Sequence, residues 1–338
     1  MRAGTRWGFL RGMPEQTSKT TIRSRSKTTI RTTLKRSTPT SEKGAGRARR
    51  VFFYVFLVLF ALMHVAFGLM PYALLGWFIE EGTISHRVHL ISFGWIFVLS
   101  FIALLAQLRR PETKVTQMYQ VLLAIEVLAV TTIIVDRAID PIVIAFMILP
   151  VVLFLLHPNR SGLLRPLKHP NRTLMALALV AAVPLVVDAT VQFRTGLEAA
   201  RIAGPIFEEL EKQPDLTEDE FERELNAAAR RATDSPEKAE QAAHHFHWSA
   251  MGAFSLIIGA LALVAALRST GWRLTAWSAG LSAVLFGAAS IANQGDASAL
   301  NGYWSLLAIA WGTGFILVAE ATRRATTAGT IAEPASTN

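Results

Sequence analysis

Apolar positions in this chain run in long unbroken blocks and do not alternate with polar ones. The blocks fall at about 51–71, 88–108, 115–135, 139–157, 172–193, 247–267, 273–293 and 302–320. At about 1.5 Å per residue, each is long enough to cross a hydrocarbon core of roughly 30 Å. The pattern therefore predicts an all-α integral membrane protein with eight transmembrane helices. The charges between blocks give a direction. Arg47, Arg49 and Arg50 precede block one, and Arg109, Arg110 and Lys114 join two to three. Arg160, Arg165, Lys168 and Arg172 join four to five, Arg268 and Arg273 join six to seven, and Arg323 and Arg324 follow eight. The alternate connections are acidic or nearly neutral: Glu80 and Glu81, Asp136 to Asp140, 194–246, and the stretch around Asp296. The positive-inside rule then predicts a cell-membrane protein with an N-in/C-in arrangement, both termini cytoplasmic.

Composition agrees with that class, since 51% of residues are hydrophobic and only 17% charged. The net charge of +9 is misleading read globally. Residues 1–50 hold fourteen Lys/Arg against Glu15 and Glu42, so the tail carries +12 and the remainder −3. The tail is low-complexity, with Ser18-Lys19-Thr20-Thr21-Ile22-Arg23 repeated as Ser26-Lys27-Thr28-Thr29-Ile30-Arg31, and is expected to be disordered. It loosely fits an organelle transit peptide. The reading preferred is a basic cytoplasmic tail held to anionic lipid headgroups, with the bilayer and no nucleic acid as partner. Met13 serves equally well as a start. The other expected parts are a basic cytoplasmic connection 158–171 and a cytoplasmic C-terminal tail 321–338. Within the acidic extracytoplasmic loop 194–246, punctuated by Pro205, Pro214 and Pro236, Thr217-Glu218-Asp219-Glu220 reads as a capping box. It opens a short helix with Phe221, Leu225 and Ala228 on one face.

One motif recurs. His86-Arg87-Val88-His89 opens the second block and His244-His245-Phe246-His247 opens the sixth. A shift of 158 residues carries His86 onto His244, His89 onto His247, Gly94 onto Gly252 and Arg110 onto Arg268. Both blocks enter from the same side, so the echo suggests two four-helix halves, 51–157 and 172–320, in a 4+4 parallel repeat about an axis along the membrane normal.

Ionisable groups inside a membrane are functional candidates. His64 lies in the outer third of block one, Glu126 near the middle of block three, and Asp188 in the outer third of block five, one turn before Gln192. His86, His89, His244, His245 and His247 all begin blocks at the outer surface, while His157 and His169 sit on the cytoplasmic side. Positions i and i+3 share a helix face, so His86/His89 and His244/His247 each present two imidazoles in one direction, and a helix N-terminus disfavours imidazolium. Facing pairs would hold Zn²⁺ or Cu²⁺, or place His89 and His247 as axial ligands of haem b, with Glu80, Glu81 or Asp188 completing or orienting the set. Histidines in a headgroup region also fit simple interfacial hydrogen bonding, as the neighbouring Trp248 suggests. With no cysteine there is no thiolate ligand or nucleophile, and neither a P-loop nor a G-x-S-x-G elbow occurs. The faces Gly252/Gly259 and Gly280/Gly287 look like close helix packing. Pro71, Pro150 and Pro184 stand where a helix break would fall near a site.

The eight-span, N-in layout with His entering spans two and six resembles the architecture of haem A synthases. That family also carries ligand His on spans four and eight, where this chain has only His157 at the far end and none, and Glu80/Glu81 do not reproduce its first-loop glutamate arrangement. No residue role is carried over. The leading functional expectation is a metal- or haem-dependent redox or metal-handling protein, with His86, His89, His244 and His247 at the outer leaflet and His64 and Asp188 in support. The alternatives are a proton-coupled transporter using Glu126 and Asp188, and a non-catalytic scaffold or assembly protein.

Overall fold

Each apolar block folds as a helix because a backbone in hydrocarbon has to satisfy its own N–H and C=O groups. The architecture is that of a computed structural model, which describes residues 40–74, 87–137, 141–164, 170–213, 215–244, 246–296 and 298–332. In order, the elements are α1 (Thr40–His64), continued by a π-helical segment Val65–Leu74; α2 (Arg87–Gln107); a 3₁₀ turn Pro111–Thr113; α3 (Val115–Thr131), continued by a π turn Thr132–Asp136; and α4 (Pro141–Leu156). There follow α5 (Arg160–Leu163), α6 (Arg172–Leu210), α7 (Glu218–Ala232), α8 (Pro236–Ala243), α9 (Phe246–Ala266), α10 (Trp272–Ala292) and α11 (Gly302–Ala332). Seven of these are long and apolar enough to cross a membrane. The eighth block is present as α4, apolar throughout but 16 residues long.

The helices from Glu42 onward form one unit, arranged in two layers. Helices α2, α3, α9 and α10 make an inner bundle whose core includes Ile96, Leu104, Met118, Ile125, Phe254, Ile258 and Phe286, all buried. Around it, the π segment Val65–Leu74 that continues α1 packs on α2, α4 on α3, α6 on α9 and α11 on α10. The outer helices turn large apolar side chains outward: Phe52, Leu59 and Leu62 on α1, Ile148 and Leu155 on α4, Val180 and Val187 on α6, Leu306 and Leu317 on α11. Such surface is stable against lipid and costly against water. The chain is a multi-pass membrane protein.

Close backbone approach holds α10 to α11. A Cβ on Gly280 would lie 2.7 Å from the Gly312 carbonyl oxygen, and one on Gly287 would collide with the Ser305 carbonyl. On α9, a Cβ on Gly252 would run into the Phe193 ring, whereas one on Gly259 would meet only Leu185 at 3.5 Å. At the Arg-rich end, here the basic end, Glu320 of α11 accepts from Arg273 Nε (2.5 Å) and Trp277 Nε1 (2.8 Å) of α10. Helices α2 and α9 are both 21 residues long. Each is followed by an arginine in the left-handed region, Arg110 at φ 55 and Arg268 at φ 52, uncommon for non-glycine residues.

Three expectations are corrected. The fifth block does not stop at 193: α6 runs unbroken for 39 residues to Leu210, with Pro184 and Pro205 inside it. At about 58 Å it outruns the hydrocarbon core. Loop 194–246 is therefore largely helical, a cap in which the end of α6 packs with α7 and α8 around Ala203, Ala229, Ala239 and Ala242. The Thr217/Glu220 capping box forms as the spacing predicts, but α7 buries Leu225 and Ala229, with Ala228 only partly covered. Third, the helix of block one begins at Thr40, ahead of residue 51, and Pro150, like Pro184, leaves its helix continuous. The rest of the basic tail, 1–39, lies outside the described residues.

Candidate functional site: a histidine stack at the cap end of the bundle

The two histidine motifs meet. Helices α2 and α9 start side by side at the cap end, and the His89 and His247 rings stack with centroids 3.8 Å apart and planes 17° apart. His244, one turn before His247, extends the column at 5.0 Å and 25°, and Phe93 lies against the other face of His89 at 5.9 Å. His89 is buried, while His244 and His247 are partly exposed toward the cap. His86, His245, Glu80, Glu81 and His169 lie outside the described residues.

Three carboxylates anchor the helices that carry these rings. Asp136, at the end of the π turn after α3, is buried and accepts from Ser249 Oγ at 2.5 Å, two residues beyond His247. Its second oxygen, Oδ1, is buried without a hydrogen-bond partner. Asp296, in the turn after α10, accepts from the backbone N–H of Val88 at 2.8 Å, next to His89. This caps the start of α2, where the orphan N–H groups and the helix dipole favour an anion. Deeper along α9, Ser255 donates to Asp188 of α6 at 2.6 Å, and Gln192 lies 3.5 Å from the same carboxylate.

The remaining sequence candidates stand apart. His64 is completely buried at the end of α1, its Nδ1 2.8 Å from the Phe60 carbonyl oxygen, inside a cage of Phe60, Phe97 and Phe146. Its contacts run to aromatic rings and not to the histidine column. Glu126 lies on the face of α3 opposite Gln117 at 100° per residue, and α3 packs on α2, α4, α9 and α10, whereas Asp188 is on α6. Among the described residues, no group of three or more His, Asp or Glu is placed to hold a metal ion. The face-to-face contact of His89 and His247 also differs from axial haem ligation, which sets two imidazoles edge-on to opposite faces of a porphyrin.

Sequence reasoning passed over Asp136 and Asp296, counting them only as loop charges. Their signal was available: each ends a block that runs toward the histidines. It also passed over His157. At the basic end this ring is wholly buried, with Nε2 3.3 Å from Gln107 Oε1, the Asn159 N–H donating to Nδ1 at 3.1 Å, and Phe53 edge-on. Burial holds its pKa below the ordinary imidazole value of 6.5. Comparison with protein-family models, characterised proteins and solved structures returns no match.

Proposed function

We propose that this chain is a proton-coupled transporter of the cell membrane, with α4 as its eighth span, both termini cytoplasmic and the His89/His247 stack as the proton-binding centre. The observation that carries this reading is the stack itself. Two imidazoles in face contact repel strongly if both are charged, so the pair holds one proton at a time and passes it on readily. Asp136 and Asp188, each bonded to a serine of α9, stand as further carriers; Glu126 is a separate intramembrane carboxylate.

The 4+4 arrangement belongs to the same proposal. Residues 158 apart touch at two depths: His89 on His247, and Gln120 Nε2 donating to Ser278 Oγ at 3.0 Å. Positions related by a two-fold axis touch one another only on that axis, which supports two related halves with the histidine pair at their junction. The paired left-handed Arg110 and Arg268 support it independently.

A pH jump applied to the purified full chain on a solid-supported membrane needs no knowledge of the cargo. The reading expects a transient charge displacement that disappears in the His89→Gln/His247→Gln variant. No displacement, or one unchanged in that variant, overturns it. A second reading is a transition-metal handling protein: the three imidazoles of His89, His247 and His244 lie in contact, though stacked as they are they form no group placed to hold an ion. Elemental analysis of tag-free protein tests it: Zn or Cu near one equivalent, lost in the same variant, would establish that reading, and metal-free folded protein would remove it.

A further inference from the structure

The inner bundle carries a second feature that the cap-end site does not use. His89, Ser92, Ser100 and Gln107 share one face of α2 at 3.6 residues per turn, and all four are buried. From His89 to Gln107 this face spans about 27 Å, close to the full hydrocarbon core. Neighbouring helices fill the intervals with polar groups. Trp95 Nε1 donates to Ser282 Oγ of α10 at 2.9 Å. Gln120 of α3 donates to Ser278 of α10 and to the Leu99 carbonyl of α2 at 2.8 Å. At the basic end Gln107 donates to the Lys114 carbonyl and meets His157.

A row of serines between membrane helices is by itself a packing device. This row contains more. Gln120 Oε1, Gln117 Oε1, Ser92 Oγ, Ser100 Oγ and Thr275 Oγ1 are buried polar atoms without a hydrogen-bond partner. Each belongs to a residue with at most 1% of its surface exposed. Buried polar groups cost roughly 1–3 kcal/mol when left unpaired and are ordinarily met by water. Both ends of the row are titratable. The histidine column stands at one end. At the other is His157, whose neighbour Pro158 lines a surface cavity of about 340 Å³ with Gly46, Arg47, Arg49 and Arg50. Glu112 and Arg49 are the charged groups acting on His157.

We propose that this seam is a transmembrane proton path, with His89 as the entry, Gln120 and Ser278 as its waist and His157 as the exit toward the basic end. It rests on the proton-binding role of the histidine stack and adds a route. One proton enters on an imidazole and one leaves His157. Between them, serine hydroxyls and water each accept one proton as they give up another, so no redox partner is needed. The glutamine amides do not ionise, so Gln107 and Gln120 orient the chain of donors.

The test uses the full chain in phosphatidylcholine vesicles loaded with a pH-sensitive dye, with a potassium diffusion potential set by valinomycin. Wild-type protein is expected to carry protons faster than protein-free vesicles. Gln120→Leu and His157→Gln should fall to the protein-free rate while keeping the pH-jump displacement of the histidine stack. Ser100→Ala, the smallest change in the seam, serves as a second variant and should lower the flux. A displacement without wild-type flux, or flux unchanged in folded Gln120→Leu and Ser100→Ala proteins, overturns the path and leaves the proton-binding site standing. Loss of the wild-type displacement removes the site itself.

Discussion

The π segment after α1, with α2, α3 and α4, packs in the same order as α6, α9, α10 and α11, yet the two sets join their first two members differently. In the first set only residues 75–86 separate the π segment from α2. In the second, α6 runs on past the bilayer thickness and α7 and α8 are inserted before α9. What the sets share is the inner pair of helices, the histidine at its start and the left-handed arginine at its close. The cap packs mainly within itself, meeting the bundle through Phe207 on Phe246 and Trp248 on the Gln241 carbonyl. On the proposed 4+4 arrangement, the inner bundle is the common framework and the cap an addition to one side of it.

The largest effect expected on this comparison comes from the α10–α11 contact, which has no glycine counterpart between α3 and α4. Gly280→Leu forces the backbones apart and should cost about 3 kcal/mol or more, whereas Gly259→Ala should stay within about 0.5 kcal/mol. Thermal unfolding in mild detergent separates the two, and equal tolerance would contradict the close approach. Next come the anchors that cross between the sets. Asp136 of the first holds Ser249 of the second, and Asp296 of the second holds Val88 of the first. Asp136→Ala and Asp296→Ala should each cost about 1–3 kcal/mol, and similar values would sharpen the parallel.

A smaller, local effect is expected in the cap. Leu225→Asp places a charge in its buried face, so limited proteolysis should open α7 while the melting of the bundle is unchanged. Loss of the whole fold would show that the cap is not an addition. Last is a pH effect at the basic end. His157 is held neutral by burial, so its folded pKa lies below 6.5. The unfolded chain then binds the extra proton, and the contribution to stability is present above pH 6.5 and lost as pH falls through the folded value. His157→Gln should flatten the melting temperature between pH 7 and 5 (about the imidazole range); an unchanged slope would contradict the assignment.

Much of the architecture was legible in the sequence because hydrocarbon admits little besides apolar helices. The boundaries that failed were set by water and packing. Helix α6 continues beyond Phe193 because Leu210, Ala203 and Ala199 find partners in the cap, which no span length reveals. The echo at His89 and His247 pointed to a real contact between the starts of α2 and α9. Asp136 and Asp296 showed in sequence only as block ends on the histidine side, and a carboxylate at a helix end reads alike whether it faces solvent or caps a neighbour. His64 and Glu126 were picked out by depth alone, and depth does not say which face a residue occupies.

The central claim is that two related halves meet on an axis at His89 and His247. The chain has no cysteine, so His89→Cys/His247→Cys introduces the only thiol pair. After oxidation the chain is cut at a protease site placed in the exposed segment Glu211–Gln213 and run on a non-reducing gel. The account predicts that the two fragments stay linked until reduced, and that Gln120→Cys/Ser278→Cys behaves likewise. Fragments that separate without reductant, in protein that remains folded, would contradict it.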